Sequence, residues 1–153
     1  MALIGAVLDA LLGGRADRAR RNLAEAIGDE RVLLGPVAAS YRGATGPYPR
    51  VKGNGTIALT PTRLLLRMVV GGPVDVNLDQ VRRVSTARTF GGSFVPGQTH
   101  LVVHTREGEL AYFVPDADRW RAVVEAALPQ GAGLSRVVPA PGASGSRRRR
   151  GGR

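Results

Sequence analysis

The apolar positions of this chain change period near residue 28. From Leu3 to Leu12 the aliphatic residues Leu3, Ile4, Val7, Leu8, Leu11 and Leu12 recur at helical spacing. Gly13-Gly14 predicts the end of that helix. Asp17 then opens a second one, with Ala19, Leu23, Ala26 and Ile27 on one side and Gly28 as its stop. Beyond Gly28 the pattern is that of strands. Arg31 to Arg42 reads as a first strand, broken and bulged at Gly35-Pro36. Val51 to Thr60 and Arg63 to Val70 follow, separated by the tight turn Pro61-Thr62. Val74, Val76 and Leu78 alternate with Asp75, Asn77 and Asp79, as expected of a half-buried strand. Val81 to Thr86 is a fifth strand, Phe90 to Gln98 a glycine-rich loop, and Thr99 to Thr105 a sixth strand. Arg106-Glu107-Gly108 turns the chain into a seventh, Glu109 to Val114.

Pro115-Asp116 predicts a capped helix over Ala117 to Leu128, because an aspartate can accept hydrogen bonds from first-turn amides. Trp120, Val123, Val124, Ala127 and Leu128 fall on one face of that helix, and Trp120 reads as a core anchor. The connections between strands are too short for parallel crossovers. The expected fold class is therefore mainly β (β-rich α+β): an antiparallel barrel or sandwich of about seven strands, closed by a C-terminal helix and preceded by two N-terminal helices.

Two stretches carry a family resemblance. Gly55-Thr-Ile-Ala-Leu-Thr-Pro-Thr-Arg-Leu-Leu-Leu66 resembles the "G-x-hydrophobic-x-Leu-Thr-x-x-Arg-Leu-hydrophobic" hairpin of bacterial pleckstrin-homology-like (PH) and GRAM domains. Val76-Asn-Leu-Asp-Gln-Val-Arg-Arg-Val84 is similar to their following strand, and the Leu101 to Gly108 hairpin and the Trp120 helix come in the same order. The resemblance covers residues 31–128. It implies a partly open barrel capped by the C-terminal helix and a role in binding lipid or protein, without chemistry. In relatives that bind phosphoinositides, basic residues of the first hairpin hold the headgroup. Here Arg42, Arg50 and Lys52 flank that loop, at a spacing that departs from the usual lipid signature. The expected division is a helical extension over 1–28, the PH/GRAM-like domain over 29–128, and a disordered Pro/Gly/Arg-rich tail over 129–153.

Charge alters this picture mainly at the end of the chain. The 153 residues carry a net charge of +10, of which +6 lies in residues 136–153, where six arginines meet no acid. Arg147, Arg148, Arg149 and Arg150 make that tail a candidate for polyanions, including non-specific nucleic acid, by counterion release. A nucleic-acid-associated protein using this tail is the alternative reading of function. The body, at +4, needs no special partner. There is no cysteine, hence no disulfide framework and no thiolate ligand or nucleophile, a composition suited to the cytoplasm. No apolar run approaches the ~20 residues that span a bilayer, and the segment Met1 to Leu12 lacks the basic flank of a secretory signal and contains Asp9.

Candidate chemistry is sparse. His100 and His104 share a strand face but stand roughly 13 Å apart, too far to bind one zinc. Asp75 and Asp79 alternate outward, Glu107 and Glu109 straddle a turn, and neither pair reads as a hydrolytic couple. Ser40, Ser85 and Ser93 lack a nucleophile context. No cofactor or metal is implied. The expectation is a non-catalytic binding or scaffolding module. It makes protein contacts, including self-association, and touches anionic membrane at its inner face. The contact residues offered are Leu3, Ile4, Val7, Leu8 and Leu11 of the first helix, which must be covered by protein or lipid, and Phe90 and Phe94. Those two phenylalanines, with Val95, either insert into a membrane or a partner groove or fold back over the barrel mouth.

Overall fold

The computed structural model describes residues 2–129, with side chains from residue 13 onward. Its elements are a helix α1 (Ala2–Ile27), strands β1 (Leu34–Ala44), β2 (Gly53–Leu59), β3 (Arg63–Met68) and β4 (Pro73–Asn77), and a 3-10 turn (Leu78–Gln80). They continue with β5 (Val81–Ala87), a short hairpin of β6 (Thr89–Phe90) and β7 (Ser93–Phe94), β8 (His100–Thr105), β9 (Glu109–Phe113) and a helix α2 (Ala117–Ala127).

Seven strands form one antiparallel sheet in the order β4-β3-β2-β1-β9-β8-β5. β4 and β5 are its two edges and do not pair, so the sheet is not closed. Only Leu78–Gln80 separates them along the chain. The sheet must therefore curl until its edges meet at that corner. The concave side holds the main core. Tyr41, Ile57, Leu66, Val76, Val84, Leu101 and Tyr112, from seven strands, join Trp120 and Val124 of α2 in one cluster. α2 lies over β5 and β8. Asp116 caps it by accepting from the Arg119 amide at 3.2 Å.

A smaller cluster lies on the convex side. Leu23 and Ile27 of α1 pack on Ala58 and Leu65. The middle of β2 and of β3 is thus buried on both faces, which is why those segments read as continuous apolar runs while β4 alternates. Arg63 fastens the helix end, donating to the Ala26 carbonyl at 2.8 Å and pairing with Glu30.

Two expectations need correction. The N-terminal segment is one helix, and Gly13-Gly14 lie inside it. Glycine costs a helix interior only about 1 kcal/mol and does not forbid helical dihedrals. The residues around this pair are strong helix formers, so the pattern of a break was present without the positive φ that makes one. The positive φ falls at Gly28, 56°, where its amide bonds the Ala24 carbonyl. The stretch Phe90 to Gln98 is also more ordered than a loop, because Thr89-Phe90 pairs with Ser93-Phe94.

A glycine pair separates backbone need from tolerance. A Cβ at Gly55 would collide with the Arg67 carbonyl across the β2–β3 ladder, whereas one at Gly13 meets nothing within 4 Å. Gly55→Ala is expected to destabilise by about 1–3 kcal/mol, as overpacking does. Gly13→Ala should raise helical ellipticity and stabilise by up to about 1 kcal/mol. Urea unfolding with circular dichroism measures both; a Gly13→Ala variant with reduced helicity would show a broken helix at that point.

Candidate functional site

The side of the sheet away from the core, where β1, β9 and β8 run together, carries Arg42, Phe113 and His100 next to one another. The pairing of Tyr41 with Tyr112 and of Leu101 with Tyr112 sets this adjacency. The Arg42 guanidinium stands 4.7 Å from the centre of the Phe113 ring, and the His100 ring stands 4.4 Å from the same ring. The β6–β7 hairpin folds onto this trio. Ser93 is buried beneath it, 2% exposed, and accepts from Arg42 Nε at 3.0 Å and Nη2 at 2.9 Å. His100 Nε2 is 2.9 Å from the same hydroxyl, and His100 Nδ1 is 3.1 Å from the Ala87 carbonyl. Burial lowers the His100 pKa, the Ala87 carbonyl opposes that shift, and the Arg42 charge adds to it.

The candidate residues divide accordingly. Phe90 turns back toward His100, at 6.5 Å between ring centres, while Phe94 remains 57% exposed. Arg42 is engaged by Ser93 and Phe113 and is only part-exposed. Arg50 and Lys52 are exposed. Lys52 precedes Gly53, the partner of Tyr41, and its charge is felt at His100, so it stands on the same side as Arg42. Arg50 runs beside Gly43, its carbonyl 3.3 Å from the site of a Cβ there. Of the N-terminal contact residues, Leu3, Ile4, Val7, Leu8 and Leu11, the helical backbone is described and the side chains lie outside the described set. Arg147 to Arg150 also lie outside the described residues.

Sequence reasoning missed the company these cations keep. Among the described residues five large apolar side chains are exposed, and four of them, Val51, Val70, Phe94 and Val95, lie in or beside the β1–β2, β3–β4 and β6–β7 connections. Val51 and Val70 flank Gly53: one precedes it by two residues, and the carbonyl of the other lies 3.9 Å from a Cβ placed on it. Phe94 and Val95 follow Ser93, which holds Arg42. Arg15 and Arg18 of α1 border a cleft of about 330 Å³ with Met68 to Gly71. A second cleft, about 540 Å³, lies between Arg20 of α1 and Gln98, floored by Ser40, Asn54 and Phe113. Arg88 is exposed at the base of the hairpin. The sequence did carry a signal: no Asp or Glu occurs between Glu30 and Asp75, or between Asp79 and Glu107.

Of the remaining polar candidates, Ser85, His104 and Glu109 come together in one hydrogen-bonded chain and the others are dispersed. His104, on the same face as His100, bonds Ser85 at 2.7 Å and Glu109 at 3.0 Å. Asp75 pairs with Arg67 on β3. Asp79 and Glu107 border one cleft with Tyr48 and Thr105, whose hydroxyls bond at 2.9 Å. Among the described residues no three His, Cys, Asp or Glu side chains converge as a metal site, and no helix is long and apolar enough to cross a membrane. No protein-family model and no curated protein matches the chain.

Proposed function

We propose that this chain is a non-catalytic, PH/GRAM-like binding module whose cationic, apolar-studded face docks on anionic membrane and offers contacts to protein partners there. The carrying observation is the exposure of Val51, Val70, Phe94 and Val95 together with Arg50, Lys52 and Arg88 on segments without a carboxylate from residue 31 to residue 74 and from 80 to 106, with Arg15 and Arg18 of α1 beside Val70. Apolar side chains at loop tips enter the interfacial region of a bilayer, and each nearby cation adds about 1 kcal/mol of attraction to an anionic leaflet. The curled seven-stranded sheet with a helix over its concave core is the arrangement the family resemblance implies, and it supports the partly open barrel. Within that reading Ser93 holds the hairpin in place, since it is buried and its oxygen is occupied by Arg42.

Co-sedimentation with phosphatidylcholine vesicles, with and without phosphatidylglycerol, tests this. Binding is expected only to the anionic vesicles and should weaken with salt. Arg50→Glu with Lys52→Glu should cost at least about 2 kcal/mol, or roughly 30-fold in affinity. Phe94→Ala should weaken binding without changing its salt dependence. Undiminished binding of the double variant, or tighter binding of duplex DNA than of anionic vesicles, would overturn the reading.

A further inference from the structure

The bonds around His100 can all be satisfied in one protonation state. Arg42 can only donate, so Ser93 Oγ accepts from it twice. The single Ser93 hydroxyl proton is then directed to His100 Nε2, which must be bare to accept it. The ring proton sits on Nδ1 and is donated to the Ala87 carbonyl. Neutral His100 therefore completes the set. A proton on Nε2 would point at an oxygen already occupied by Arg42 and would strand the serine hydroxyl proton.

Among the described residues the surroundings give an imidazolium no counter-charge. The groups facing His100 are Arg42 from β1, Lys52 ahead of β2, the Phe113 ring from β9, the Phe90 ring from the hairpin, and the backbone at Ala87 and Arg88. Glu109, on the same two-strand ladder, is bonded to His104. His100 itself is 0% exposed. The hairpin has little else to hold it: in residues 88–99 Ser93 is buried, Phe90 is half-buried and the rest are exposed. Its strands pair only with each other.

We propose that the Thr89–Phe94 hairpin is a proton-sensitive strap: protonation of His100 breaks its hold on Ser93, lifts the hairpin from the sheet and frees the Arg42 guanidinium. Arg42 then joins Arg50 and Lys52 on the cationic face, a consequence that rests on the membrane reading above; the opening itself does not. The lowered His100 pKa supports the direction. The proton binds the open hairpin more tightly than the closed one, so closure is fully favoured above the ordinary histidine value of about 6.5 and is lost as pH falls below it.

Amide hydrogen exchange on the full chain at pH 7.5 and 5.5, corrected for the chemical exchange rate, reads the strap without lipid. The opening equilibrium of residues 89–94 is expected to rise between the two, by at most about tenfold. Amides of Ile57 and Leu65, in the doubly covered strands, should show no such rise. His100→Gln should give the same protection at both pH values. Ser93→Ala should leave the hairpin open at both while Ile57 and Leu65 stay protected. Equal hairpin protection of the wild type at pH 7.5 and 5.5, or a rise of the same size that persists in His100→Gln, would overturn the proposal.

Discussion

Trp120→Ala is expected to lower the unfolding free energy by about 3–5 kcal/mol, the range for removing a buried large aromatic. The indole is 3% exposed and belongs to the cluster that contains Leu64, Leu66, Val76 and Leu101. It is the largest side chain that α2 contributes to the concave core. Its loss leaves a cavity under a helix with only one other fully buried residue, Val124. The neighbour Val123 is half-buried and packs at the margin, so Val123→Ala should cost much less. Urea denaturation followed by ellipticity distinguishes them. An unchanged midpoint for Trp120→Ala would remove the indole from the core and with it the capping role of α2.

Leu23→Ala should cost about 2–5 kcal/mol, although Leu23 belongs to a segment that reads as an appendage. Its side chain is fully buried, 0% exposed, against Ala58 and Leu65 on the convex side of β2 and β3. Removing it opens a cavity over the sheet and weakens the anchorage of α1. The decisive readout is the exchange protection of Leu65 together with the global midpoint. If α1 were only tethered, the helix would melt separately and the sheet would keep its midpoint. A single lowered transition is the expected result.

Local chemistry made much of this fold readable in advance. The alternation at Val74 and Val76, the Asp116 cap, the Gly28 stop and the irregularity at Gly35-Pro36 all appear in the structure, the last as a register shift between Leu34 and Val37. Each depends on residues close in sequence. The pairing of β1 with β9 does not, and no local pattern announces that Ser40 lies beside Phe113. That pairing creates the outer trio, so Arg42 read as a free cation when it is bound. Leu65 likewise gave no sign of a helix on its far side. The Gly13-Gly14 error came from treating glycine as a stop when only its conformation decides. The hairpin was within reach, because Thr-Phe-Gly-Gly-Ser-Phe is a two-residue glycine turn between strand formers. The four exposed apolar residues come from three separate connections, so no single stretch of sequence presents them together.

The two unpaired margins of the curled sheet have a consequence for how the chain behaves when crowded. An open strand margin is a template on which a neighbouring molecule can add its own strand and begin a fibril. Here β4 opens with Pro73, which has no amide to donate, and presents Asp75 in an ion pair with Arg67. β5 carries the adjacent exposed cations Arg82 and Arg83 and is kinked by a register shift between Val81 and Arg83. Neither margin offers a flat, uncharged ladder. An architecture left ajar at its corner is thereby guarded against edge-to-edge aggregation without a further strand to seal it.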